Sequence, residues 1–525
     1  MALTEALFGH PSYDQMERLV KSNEIIAEAI NPTGYTALEK VIAQAYISGR
    51  TGNVWKRKVW KTDTNSTDAC PALDSYGDGV ATPFTDEVAG NDPYMDNYEV
   101  FKWQYCNYDR ESDGTARLTA LEGYPDYKEE GSVDVGCIHP TFWWNWVEES
   151  DHWILYFSDS PNAELGLVPW KDAVKEDGTV MPYFIASAFP SVTASDGKLR
   201  SQPGRPANNA SYNNINTAYA TKGAGYHGSG SSINTLALIY LMVKYQTKLE
   251  ATVFTGNISF TINAPIACAE SNVKRVLVAA TESRFQKGSG VTVGTANNAY
   301  WLNGSLVSWA EIESVEDVTI DGTQYRALNL KVSSAFTTTT EMFVVGSACP
   351  SGQTRKVMGH YDGSIISNTD SKHSFRIEGM EMMNGLWFVQ ADTVIEFLNN
   401  TWNVYVAPKG VAHPQNAHTG FKLIGNSSAF TADAYVGNVC FDLATGGYYH
   451  SEKGSGSGVG TGAYHWHGGA SVADGTLREW RGCGSLYDGS YDSLVASHGR
   501  NDLGNANANN GSRNCKKVSV DTSKT

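Results

Sequence analysis

The chain predicts an α+β protein assembled from several parts, and three observations predict it. Aromatic residues alternate along Phe142, Trp144 and Trp146, with Trp143 and Val147 on the opposite side, which is the period of a strand buried on both faces. Between Ile233 and Gln246, residues Ile233, Leu236, Ala237, Tyr240 and Leu241 recur at spacings of three and four, the stripe of a core helix opened by Ser231 or Ser232. Residues 258–362 hold short alternating runs with Asp321-Gly322 between two of them, a hairpin signal. At 525 residues the chain exceeds one ordinary core, so two to four domains are expected.

In chain order, Met16, Leu19, Val20, Ile26 and Ile30 predict an amphipathic helix over Asp14 to Ile30. Leu38, Val41, Ile42 and Ala45 predict a second from Thr36 to Ile47, closed by Gly49 and Gly52. Two short helices cannot bury a core alone, so residues 1–53 read as an arm for anchoring or oligomerisation, the alternative being packing on their own chain. The body opens at 54, and Trp153, Leu155 and Phe157 extend the aromatic alternation, a core pattern rather than a sugar platform. A Gly, Ser, Asn and Pro-rich stretch from Phe189 to Ser231 reads as a long loop ahead of the core helix. The 258–362 block, with runs at 276–278, 291–293, 318–320, 328–332 and 342–345, reads as an all-β domain inserted into a body of 54–257 and 363–525. Glycines from Gly454 to Gly462 favour mobility, and without a following Lys-Ser/Thr they form no phosphate loop.

Composition excludes several functions. Lys plus Arg number 40 against 56 Asp plus Glu, a net charge of −16 that repels nucleic acid in the absence of a basic patch. The longest apolar run, Leu236 to Val243, is far short of the roughly 20 residues that span a bilayer. The first ten residues have no secretory pattern, so synthesis is expected to finish in a cytoplasm. The eight cysteines (70, 106, 137, 268, 349, 440, 483, 515) form no C-x-x-C pair and read as buried thiols. His465 and His467 share a strand face but lack an evident third ligand, and Asp74, Asp78 and Asp86 lack calcium-hand spacing, so no metal or other cofactor is expected. No carboxylate pair or serine elbow anchors a hydrolase, and the chain reads as not an enzyme.

The most informative stretch runs from Leu477 to Arg513, with six asparagines between 501 and 515. Asn, Asp, Gly and Ser suit turns because they tolerate left-handed backbone and bond their own main chain. The same mixture, with Tyr, builds antibody paratopes. Composition leaves both readings open.

The run Arg481-Gly-Cys-Gly-Ser485, then Tyr487-Asp-Gly-Ser-Tyr-Asp492, then Asn501-Asp-Leu-Gly-Asn-Ala-Asn-Ala-Asn-Asn-Gly-Ser-Arg513, resembles the carboxy-terminal repeat of C-type-lectin-fold proteins of the formylglycine-generating-enzyme-like branch. Phage and bacterial ligand-binding proteins diversified by retroelements are the members it looks like. Val135 to Trp144 and Arg376-Ile-Glu-Gly-Met-Glu-Met-Met-Asn-Gly-Leu-Trp387 are similar to further family segments, and together these cover roughly 100 to 525. Cys483 interrupts the family's Gly-Gly-Ser, and the Trp387 spacing is one residue short. Where the oxidase branch carries paired cysteines, this chain has Asp488 and Asp492, so the oxidase chemistry is not implied. Animal-lectin calcium motifs are absent as well.

The resemblance implies a C-type-lectin-like body interrupted by the β insert and preceded by the helical arm. It implies a phage receptor-binding protein of the virion surface, a tail fibre or adhesin. The variable surface, about 484–513, would present Tyr487, Asp488, Tyr491, Asp492, His498, Asn501, Asn505, Asn507, Asn509 and Asn510 to a host-surface protein or glycan, with Gly484, Gly511 and Arg513 as framework. Repeated copies would strengthen a weak single site, so a homotrimer is expected, joined to other virion proteins through the arm. A head fibre or decoration protein, and a carbohydrate-active enzyme, are the rival classes.

Overall fold

The computed structural model describes residues 36–516 apart from 62–67, 111–114, 224–225, 410, 428–429, 431 and 468–471. The helix expected over 14–30 lies outside the described residues. Its successor is Ala37–Ser48, opened by Thr36 and Glu39 in a capping box. Glu39 is fully buried, and its carboxylate also accepts bonds from Arg117 Nε (2.8 Å), the Tyr183 hydroxyl (2.8 Å) and the Leu118 amide (3.1 Å). Val41, Ile42, Ala45 and Tyr46 pack on Cys106, Tyr108, Leu118 and Ile185. The apolar stripe of this helix is therefore covered by the chain's own sheet.

The architecture is mixed α+β with several sheets. One four-stranded antiparallel sheet orders Val54–Trp60, His152–Ser158, Trp143–Glu148 and Val168–Pro169. A second orders Ala116–Leu121, Gln104–Arg110, Asp134–Pro140 and Tyr183–Ser187. A nine-stranded sheet follows, running Lys422–Asn426, Thr401–Val406, Trp387–Leu398, Thr476–Cys483, Ser493–Gly499, Tyr464–His467, Ala434–Phe441 and Tyr448–Lys453, with Asn510–Gly511 joined in parallel to Trp387 and Phe388. It curls nearly into a barrel, bringing its two edges together so closely that a side chain at Gly425 would strike the Tyr449 ring.

Helix Ser232–Tyr245 runs through the middle. Every one of its residues is buried, so the expected stripe extends to burial all round the helix, with Asn234 and Lys244 among the buried polar side chains. Its Tyr240 meets Phe142 (6.0 Å between ring centroids) and Phe157 (5.8 Å), and Phe142 stacks on both Phe157 (4.6 Å) and Trp170 (5.4 Å). Burying each such ring contributes about 1.5–3 kcal/mol. Trp144 belongs to this interior, while Trp146 lies against Trp153 (5.3 Å) near its margin.

The stretch 189–231 is not one loop. Ser211 caps the helix Tyr212–Ala220 in a capping box with Asn214, and Tyr212, Ile215 and Tyr219 bury its inner face. Its weak helix formers Asn213, Asn214 and Asn216 masked a spacing of three and four. Between 258 and 362, a six-stranded antiparallel sheet spans Asn263–Pro265 to Phe343–Ser347 around its own core of Val276, Val278, Val291, Val293, Leu328 and Val344. Asp321 and Gly322, both at positive φ (48° and 76°), form its hairpin turn. At its root, Asn257 Nδ2 donates to the Ser347 (3.3 Å) and Asn384 (3.1 Å) carbonyls, tying both ends of this segment to the body.

Candidate functional site

Strands Thr476–Cys483 and Ser493–Gly499 pair antiparallel and bring residues 484–492 out as a connecting turn. Gly484 sits at φ 133° against the Asp492 carboxylate, where any Cβ would collide. A single 3-10 turn, Gly489–Tyr491, separates the tips, and Tyr487 (63% exposed) and Tyr491 (42%) project from it. Tyr487 approaches Tyr300 (6.2 Å) and Trp301 (6.0 Å) of the β insert. Tyr491 lies among Tyr435 (5.6 Å, nearly parallel), Tyr464 (4.7 Å) and Trp466 (5.8 Å). Each of these partners is half-buried, so the turn carries an aromatic surface at both ends.

The expected ligand-facing residues divide. Tyr487, Tyr491 and Asn505 are exposed, and Asp488, His498, Asn507 and Asn509 are half-buried. Asp492, Asn501 and Asn510 are buried, which corrects their reading as ligand-facing. Burial, then Asp488 and Glu250, pushes the Asp492 carboxyl well up where it lies under the turn. Asn501 Nδ2 donates to Glu479 (3.3 Å), whose other oxygen accepts the Tyr212 amide (3.0 Å). Asn510 accepts from Arg481 Nη1 (2.6 Å) and donates to the Ala210 carbonyl (3.0 Å). Asn501 thus holds a buried carboxylate, and Asn510 holds a buried guanidinium and a backbone carbonyl, which is a framework role. Asp488 accepts from Ser485 Oγ (2.6 Å) and fixes the turn. His498 contacts the Arg481 guanidinium, and its ring lies 5.7 Å from Trp387; burial, then Arg481 and Arg500, pushes its pKa well down, leaving it neutral.

Below the turn, Arg513 is fully buried and donates to the Ser187 (2.7 Å), Ala188 (3.2 Å) and Glu381 carbonyls. Gly511 pairs beside Phe388. Sequence reading missed Tyr300, Trp301, Tyr435, Tyr464 and Trp466. The signal for two of them was strand alternation in Tyr464-His465-Trp466: His465 turns inward to Ser497 Oγ (2.7 Å), so its neighbours must turn outward. The glycine loop packs rather than moving freely: Gly454 N–H donates to the Tyr435 carbonyl (2.7 Å), and side chains at Gly460 and Gly462 would strike Gly437 and Leu249.

A second constellation corrects the expectation that the chain is not an enzyme. Asp92, Asp362 and Glu378, all buried, place carboxylate oxygens within 4.8 Å of one another, a set geometrically competent to coordinate a metal ion and so to support catalysis. The cation that meets them here is the Lys244 ammonium, 2.6 Å from Asp92 and 2.7 Å from Asp362, and also bonded to Glu378. Burial alone would lower Lys244, but Asp362, Asp92 and Glu378 hold it well above its ordinary value. Burial raises Asp362 and Glu378 in turn. Elsewhere, a cavity of about 550 Å³ is lined by Lys171, His227, Asp392, Lys409 and His413.

No family model matches the chain, and no curated protein matches it in sequence.

Proposed function

We propose that this chain is a phage virion protein of C-type-lectin type, exposed on the particle as a homotrimeric adhesin, that binds a host-surface protein or glycan through the turn 487–491 and its aromatic neighbours. Retroelement diversification would act on its outward positions, and the part of the arm that precedes the helix Ala37–Ser48 would hold it to other virion proteins. One observation carries this reading: Tyr487 and Tyr491 stand exposed on a turn whose base is held by the close approach at Gly484 and the Ser485–Asp488 hydrogen bond. Rigid tyrosines on a fixed base present amphipathic area at low entropic cost, and aromatic faces stack on sugar rings as well as on peptide. The buried members of the ribbon supply stiffness rather than contact.

Binding of the purified full-length protein to a panel of intact bacterial strains and to a glycan array tests the reading. The double variant Tyr487→Ala/Tyr491→Ala is expected to lose binding with its thermal midpoint unchanged. Undiminished binding by that variant overturns the assignment of this face.

A further inference from the structure

We propose that Lys244 and Asp362 join in an intramolecular isopeptide bond, formed by the fold itself, that ties the central helix to the segment following the β insert. The two residues lie 118 apart in sequence, yet Lys244 Nζ is 2.7 Å from Asp362 Oδ2 in an interior closed to water. The pair is built like a condensation site rather than an ordinary ion pair. The Glu378 backbone N–H donates to Asp362 Oδ1 (2.6 Å), and the Tyr245 hydroxyl donates to Oδ2 (3.1 Å), so both carboxylate oxygens are polarised. Glu378 bonds the Lys244 ammonium through one oxygen, while its other, Oε2, is buried without a hydrogen-bond partner. Glu378 also occupies a left-handed turn position (φ 47°) between Phe375–Ile377 and Met380–Met382, a strained placement for a glutamate that aims its carboxylate at the lysine. Asp92 Oδ2 lies as near the ammonium (2.6 Å) while Oδ1 accepts the Met95 amide (3.1 Å), but no second donor polarises Oδ2 as the Tyr245 hydroxyl polarises that of Asp362.

In the proposed step, Glu378 takes a proton from the ammonium and the freed Nζ lone pair adds to Asp362 Cγ. The charge that develops on Oδ1 falls beside the Glu378 N–H, as in an oxyanion hole. The Cγ–Oδ2 bond then breaks, and Oδ2 leaves as water carrying two of the three ammonium protons, the first returned through Glu378. Ammonium plus carboxylate become amide plus water, Glu378 ends as it began, and no oxidant or cofactor enters. Burial favours this direction because two desolvated charges become one neutral amide. The inference is independent of the receptor-binding reading.

Intact mass of the denatured full-length wild type, followed by tandem mass spectrometry of its peptides, tests the bond. The expected result is a mass lower by one water and a branched peptide joining Lys244 to Asp362, with Glu378→Gln restoring the full mass. An unmodified wild-type mass overturns the proposal, whatever the variant does. So does a water loss confined to one peptide at Asp362-Gly363, the mark of a cyclic imide, or a link from Lys244 to another carboxylate.

Discussion

Two halves of one ribbon behave oppositely. From Tyr487 to Tyr491 the side chains leave the protein, and from Asp492 to Arg513 those of Asp492, Asn501, Asn510 and Arg513 enter it. Both stretches are rich in Asp, Gly and Ser, yet the tyrosines of the first present area to solvent while Asn510 and Arg513 of the second bond buried backbone carbonyls. The difference teaches that Asn and Asp in a Gly-rich segment report irregular backbone, and that burial decides whether they serve a ligand or the frame.

The largest expected effect sharpens this contrast from the inside. Arg513→Ala strands three buried carbonyls and is expected to cost about 3–5 kcal/mol in chemical denaturation. Gly484→Ala drives a methyl into the Asp492 carboxylate and should act in the same direction. Asn510→Ala, which orphans Arg481 and the Ala210 carbonyl, should cost about 1–3 kcal/mol.

A pH series probes the layer beneath the ribbon. Burial holds the Glu250 carboxyl at about 8 and those of Glu381 and Glu479 at about 7. Folding keeps their protons where the unfolded chain has released them, so their contribution is complete below about 4.5 and is lost as pH rises through 7 to 8. His139 and His450, pushed down by burial to about 3 and 4, oppose this only below 6.5. The thermal midpoint should therefore fall as pH is raised from 6.5 to about 8, above which Lys222, pushed down by burial to about 8, opposes it. Glu250→Gln, which keeps an acceptor for the Leu494 amide under the turn, should flatten that fall. The smallest effect is outside: Tyr487→Ala and Tyr491→Ala should each change stability by less than about 1 kcal/mol.

Much of the frame was legible. The helix at 232–245, the short strands between 258 and 362 and the Asp321-Gly322 turn follow from periodicity and turn chemistry, because those signals are local. The helix Tyr212–Ala220 was hidden by its asparagines, since tertiary burial of Tyr212, Ile215 and Tyr219 outweighs weak propensity. Tyr300 and Trp301 could not be assigned to the surface beside Tyr487 at all, because nearly two hundred residues separate them and only the fold joins them. The Lys244 cluster was invisible for the same reason, its carboxylates coming from three distant segments.

The exposed positions of the ribbon, 487, 491 and 505, should be free to vary and its buried positions not. The most direct measurement is a library of the full-length protein randomised one position at a time at 487, 491, 505, 492, 501, 510 and 513, sorted for protease resistance. Positions 487, 491 and 505 should return nearly every side chain, while 492, 501, 510 and 513 should return little beyond the native residue. Equal tolerance in both groups, or tolerance confined to the second, would contradict it.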